Sequence, residues 1–227
     1  MNIVLSPHID DAVFSCWHAL VPSETQVYNI FAEIPPADTT TLWDRLCGMP
    51  DSRQMMHNRR QENDLIFNNL RVPVQYLPFL DGQYRRDKLN PADIASEIIG
   101  RSTGRPSFLA PLAGSTVWRH KDHVLVRSAA ILLIKQGYKV TFFPDIPYMY
   151  MPAIMQPKHL DRLAERMSKL LGIGLKAEVI RLDRQQILAK TRAMKAYGTQ
   201  WTMTNLASFG TLAVMSDRNY EICLAQA

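Results

Sequence analysis

The chain opens Met1-Asn2-Ile3-Val4-Leu5-Ser6-Pro7-His8-Ile9-Asp10-Asp11-Ala12. Ile3, Val4 and Leu5 form a short apolar run, the pattern of a buried strand. Pro7 ends that strand, because it has no N–H to give a ladder. The following Ala12-Val13-Phe14-Ser15-Cys16-Trp17-His18-Ala19-Leu20 reads as a helix, with Asp10 or Asp11 as its cap. One imidazole and two carboxylates, those of His8, Asp10 and Asp11, thus fall on a strand-to-helix turn. In an open α/β sheet that turn is the carboxyl edge of the first strand, where ligands bind.

A second cluster repeats the arrangement. Trp118-Arg119-His120-Lys121-Asp122-His123 follows the apolar run Phe108-Leu109-Ala110-Pro111-Leu112-Ala113 and precedes a helical pattern through Ile134. Strand-end loops of one parallel sheet point to the same side, so the two clusters can meet in space. Taken singly, each aspartate reads as a helix cap and each histidine as solvated. Half of the chain's six histidines would then fall into two short loops by accident.

Outward from these loops, strands and helices alternate. Strands are expected at 2–6, 26–32, 72–77, 107–110, 139–143, 176–182 and 220–224. Helices are expected at 11–20, 52–70, 91–99, 124–135, 158–171 and 183–197. Residues 33–50 read as an irregular excursion. The alternation predicts one α/β domain over 1–227, with a Rossmann-like, mostly parallel, doubly wound sheet and helices on both faces.

Composition narrows the function classes. With 227 residues, 47% hydrophobic and 21% charged, the chain can bury a sizeable core. The net charge of +5 comes from scattered basic residues, so no nucleic-acid binding is expected. No basic segment followed by a long apolar one opens the chain, and no apolar run could span a bilayer. Cys16, Cys47 and Cys223 are far apart and form no disulfide framework. A cytoplasmic location is expected.

Two imidazoles and one carboxylate can hold a metal and leave positions for water and a substrate oxygen. On residue count, His8, Asp11 and His123 serve as ligands. Asp10 is then the base and His120 the acid, while Asp122 orients a histidine from behind. Spacing alone does not decide which aspartate binds the metal. The same donor set also suits a non-haem Fe(II) oxygenase or a non-catalytic sugar- or metal-binding module. A metallo-β-lactamase-like hydrolase would need histidine where Trp118 stands.

At this point the chain resembles the PIG-L/LmbE-like zinc-dependent N-deacetylases. Ser6-Pro7-His8-Ile9-Asp10-Asp11-Ala12 is similar to that family's first motif, and His120-Lys121-Asp122-His123 to its His-x-Asp-His motif. Supporting matches are Arg59-Arg60-Gln61-Glu62, Asp81-Gly82, Asp145-Ile146-Pro147-Tyr148, and Lys190, Ala193, Tyr197, Thr199 and Gln200. Ile9 and Ala12 depart from the commoner proline and glutamate. The resemblance implies one Zn²⁺ per chain, or another divalent metal, at His8, Asp11 and His123, with Asp10 as base and His120 as acid. It further implies removal of an N-acetyl group from an N-acetylglucosamine-type amino sugar or conjugate. Arg60 is a candidate substrate contact, and Asp145 and Tyr148 are candidates to line the pocket. The expected partner is a small-molecule amino-sugar substrate, with a homo-oligomer possible.

Overall fold

The computed structural model describes residues 1–113, 120–146, 159–208, 210 and 218–227. Trp118, Tyr148 and the methionines 149, 151 and 155 lie outside the described residues.

Seven strands form one sheet: β1 (Asn2–Ser6), β2 (Thr25–Asn29), β3 (Val74–Tyr76), β4 (Ser107–Pro111), β5 (Val140–Phe143), β6 (Leu175–Arg181) and β7 (Tyr220–Gln226). Their order is β3-β2-β1-β4-β5-β7-β6. The first five run parallel, and β7 is inserted antiparallel between β5 and β6. The helices are α1 (Asp11–Ser15), α2 (Leu42–Leu46), α3 (Ser52–Leu70), α4 (Pro91–Arg101), α5 (Lys121–Lys135), α6 (Leu160–Leu171), α7 (Arg184–Ala196) and α8 (Gly198–Ala207).

The period of two along each strand sorts the core into two layers. Ile3 and Leu5 of β1 join Phe108 and Ala110 of β4 on one face, under Ile94 and Ile98 of α4, Val126 and Leu133 of α5 and Leu163 of α6. Val4 and Leu109 point the other way, onto Val13 and Phe14 of α1, Met56 and Phe67 of α3 and Met194 of α7. Helices therefore cover both faces, as the doubly wound expectation requires. Strand β1 is central, hydrogen-bonded to β2 on one side and β4 on the other. Its register sets Val4 beside Val27 and Leu109.

The elements differ from expectation in a few places. The first helix stops at Ser15, and a 3₁₀ turn follows at Trp17–Ala19. The Trp17 and His18 N–H groups donate to Glu221 on β7, which draws the chain out of α-helical continuation. The excursion after β2 contains the short helix α2, organised by the buried Asp44. That carboxylate accepts from Thr41, Ser52 and Tyr84. No helix among the described residues is long and apolar enough to cross a membrane.

Candidate metal centre and active site

The two histidine loops meet because β1 and β4 are neighbours, and both end on the same side of the sheet. After β1, the Ser6 hydroxyl donates to the His8 carbonyl at 2.6 Å and accepts the Ala12 N–H at 2.9 Å. Ser6 thereby satisfies a helix-start donor, and Asp10, at the cap position, makes no capping bond with its side chain. Asp11 Oδ2 accepts the His8 N–H at 2.8 Å. Neither aspartate is spent as the cap that the sequence suggested. At the other loop, His120 occupies the cap position of α5, and Asp122 and His123 fall in its first turn.

Three potential ligand atoms converge. His8 Nδ1 lies 3.2 Å from Asp11 Oδ2, and His123 Nε2 lies 3.2 Å from the same oxygen. The two nitrogens are 3.3 Å apart. Ligand atoms on one tetrahedral ion with bonds of about 2.0–2.1 Å stand about 3.3–3.4 Å apart. The triangle therefore matches one face of such a site. The His120 ring stands edge-on to His8, centroids 4.7 Å apart, and 5.1 Å from His123. The nitrogens of His8, His120 and His123 form a group able to hold an ion, and so do His8, Asp81 and Asp122.

Both of these imidazoles are backed by carboxylates. His123 Nδ1 lies 2.8 Å from Asp145 Oδ1. His8 Nε2 lies 3.4 Å from Asp122 Oδ2 and 3.7 Å from Asp81 Oδ2. A carboxylate on the remote nitrogen fixes the tautomer and raises the basicity of a metal-ligating histidine. Asp122 is itself held by the Gly82 N–H at 2.7 Å and by Arg85 Nη2 at 2.7 Å. Gly82 has to lack a side chain, since a Cβ there would stand 2.8 Å from Asp122 Oδ1.

Among the described residues, carboxylates outnumber the cationic side chains around the histidines. Five buried carboxylates, those of Asp10, Asp11, Asp81, Asp122 and Asp145, surround the histidines. Among the described residues two guanidiniums face them, Arg59 on Asp10 and Asp81 and Arg85 on Asp122. Burial works against charging His123, but Asp11 and Asp145 outweigh it and push its pKa up to about 9. His8 is likewise raised, with Asp81, Asp11 and Asp122 overcoming its burial. A buried nest of carboxylates that favours positive charge on its histidines suits a dication in their place. His120 behaves oppositely. Burial and the neighbouring imidazoles of His8 and His123 hold its pKa down at about 3. Asp10 is raised, first by burial and then by Asp11, against the pull of Arg59.

The remaining expected residues are placed as follows. Arg60 points away from the cluster, donating to the Ala32 carbonyl at 2.9 and 2.5 Å and lying over the Tyr76 ring. The arginine at the site is its neighbour Arg59, with Nη2 3.3 Å from Asp10 Oδ1. On α3 the buried face carries Met55, Met56, Arg59, Asn63, Ile66 and Phe67, and one residue of helical rotation takes Arg60 off it. Asp145 is 1% exposed and stands behind His123, where it also accepts the Ala113 N–H. Asp81 enters the site from the loop after β3.

No family model matches the chain. Over 185 residues it is 28% identical to the 2'-N-acetylparomamine deacetylase of Niallia circulans. The match covers 63% of this chain and 66% of that one, so the chain spans just under two thirds of that relative's length. The zinc-inhibited form of teicoplanin deacetylase superposes with a TM-score of 0.73 at 20% identity, covering 100% of this chain and 97% of that chain. For N,N'-diacetylchitobiose deacetylase from Pyrococcus horikoshii the TM-score is 0.59 at 13% identity, covering 94% and 76%. The chain is thus similar in sequence to one N-deacetylase and shares its fold with two others, in line with the motifs that its histidines and aspartates resemble.

Proposed function

We propose that this chain is a divalent-metal amide hydrolase that removes an N-acetyl group from an amino sugar or amino-sugar conjugate. The metal is zinc, one per chain, held by His8, Asp11 and His123. The observation that carries this reading is the triangle of His8 Nδ1, Asp11 Oδ2 and His123 Nε2, with sides of 3.2, 3.2 and 3.3 Å. Support for the substrate class comes from the 2'-N-acetylparomamine deacetylase that is 28% identical to this chain over the aligned residues.

A cation at the triangle supplies Lewis acidity to water and to the amide carbonyl. Asp10 takes the proton of the attacking water on its carboxylate. Its raised pKa makes it a better base than a solvated aspartate. Collapse of the tetrahedral centre breaks the C–N bond and leaves acetate, and the departing nitrogen receives the proton that Asp10 collected. His120 is neutral at rest, because a pKa near 3 leaves no resting imidazolium. It therefore acts first as an N–H donor to the oxyanion and relays the proton to nitrogen, rather than supplying one of its own. Three free thiols suit a reducing cytoplasm.

The test is amine release over a panel of N-acetylated amino sugars and their conjugates. Each is assayed with the enzyme as purified, after chelation, and after zinc is restored. Turnover that chelator abolishes and zinc restores is expected. Chelator-insensitive turnover would overturn the metal assignment. Turnover that needs dioxygen would replace hydrolysis by oxygenation.

A further inference from the structure

Strand β6 closes one edge of the sheet, with β7 on its inner side. The Ala227 N–H donates to the Gly174 carbonyl at 3.0 Å and the Leu182 N–H to the Asn219 carbonyl at 2.8 Å. Even-numbered residues of the strand therefore bond inward to β7. The backbone groups of Leu175, Ala177, Val179 and Arg181 turn outward. Among the described residues, Ser168 Oγ takes one of these, the Leu175 N–H at 2.9 Å.

We propose that a second copy of this chain adds to this edge, β6 against β6 antiparallel, about a two-fold axis through Ala177. The sequence Leu175-Lys176-Ala177-Glu178-Val179 is complementary to itself in that register. Lys176 comes to stand opposite the partner subunit's Glu178, and Glu178 opposite the partner subunit's Lys176. On the other face Leu175 meets the partner subunit's Val179, and the small Ala177 meets its own copy on the axis. Isolated lysines ordinarily protect a sheet edge from pairing. Here the opposite charge two residues along turns that protection into a match for a second copy and for no other register. Ala177 is also an outward-bonding position, so the axis falls on a pair that can exchange both of its N–H to carbonyl bonds.

The surroundings fit the same occupant. Val179 is 40% exposed, and Leu170, near the end of α6 where the chain turns into β6, is 50% exposed. Leu163 and Met167 of α6 pack in the same core layer as Leu175, with Ala177 against it. The two-fold therefore brings both α6 helices to one face, side by side. In this register residues 175–179 of each strand pair, and so short a ladder buries less than the roughly 1,200–2,000 Å² of stable interfaces. The paired α6 helices, with Leu170, supply the remainder.

The experiment is light scattering coupled to size exclusion on the full chain, from low micromolar to submillimolar concentration. A mass of twice 25.9 kDa is expected for the native protein. Ala177→Pro removes an outward N–H that the β7 ladder does not use, so it should give a monomer with an unchanged circular-dichroism melt. Lys176→Glu sets like charges opposite each other and should weaken the dimer at least tenfold. The double variant K176E/E178K should restore it. A native protein that is monomeric throughout would overturn the proposal, and so would a dimer that survives Ala177→Pro. Should Ala177→Pro fail to fold, the charge pair decides: a double swap that behaves like the single variant overturns the proposal as well.

Discussion

The guanidinium of Arg59 stands against the carboxylate of Asp10, with Nη2 3.3 Å from Oδ1, and its Nη1 reaches toward Asp81 Oδ2 at 3.8 Å. A residue from the long helix α3 thus grips the proposed base from outside the loop that carries it. Arg59 lowers the proton affinity that burial and Asp11 raise. Weakening that contact in Arg59→Lys should raise the pKa of Asp10, so the base is protonated up to a higher pH. The acidic limb of the kcat/KM profile should therefore move upward. A profile that does not move would detach Arg59 from the base.

Asp10→Asn keeps the size of the side chain and its contact with Arg59 but removes the base. Turnover should fall by about 10² to 10⁴, with metal content by elemental analysis unchanged. Loss of the metal along with activity would instead make Asp10 a ligand.

Asp145→Asn retains an acceptor for the Ala113 N–H but no longer presents a full negative charge to His123 Nδ1, 2.8 Å away. Metal affinity should drop by about 10- to 100-fold, read by competition with a chromogenic chelator. His123→Ala should lose the metal outright. Undiminished affinity in Asp145→Asn would make Asp145 a mere anchor of the Ala113 turn.

Outside the histidine cluster, Lys190 Nζ lies 2.5 Å from Glu221 Oε1, and His18 Nδ1 lies 2.6 Å from Oε2. Burial would raise Glu221, but Lys190 and His18 outweigh it and bring its pKa down to about 2. A folded-state pKa below the unfolded one stabilises the fold above the unfolded value of about 4.3. That contribution is lost as pH falls toward 2. Glu221→Gln should be clearly less stable than the native chain in urea at pH 7. The gap should narrow between about pH 5 and pH 2, because the native glutamate then protonates too. A gap independent of pH would remove the ionic account.

Much of this was legible because the chemistry sits next to strong punctuation. Pro7 after Ile3-Val4-Leu5 fixes where β1 ends, so His8, Asp10 and Asp11 could be placed at a strand's carboxyl edge without coordinates. The same logic placed His120 and His123. For the arginines the motif pointed to Arg60, whereas the side chain against the cluster is that of Arg59. The choice belongs to helical phase, and the spacing of Met55, Met56, Arg59, Asn63 and Ile66 carried that signal. Asp145 reads from sequence as a residue lining a pocket, because a turn after a strand does not say what stands behind it. Its bond to His123 exists through the β4–β5 pairing. The reversed direction of β7 is likewise a tertiary choice, made by its pairing with β6 and β5 and by Glu221 reaching Lys190 and the Trp17 turn. Asp44 gave no sequence warning at all, since a buried aspartate with three donors looks like any loop residue.

The two imidazoles that face each other at 3.3 Å are 115 positions apart along the chain. Closing so long a loop carries an entropic cost that the unfolded chain cannot recover locally. On the proposed ligand set, ion capture is thus a late event in the life of the nascent polypeptide, waiting on the docking of β4 against β1. In stopped-flow refolding, quenching of a zinc-responsive dye would then act as a clock for that one long-range pairing.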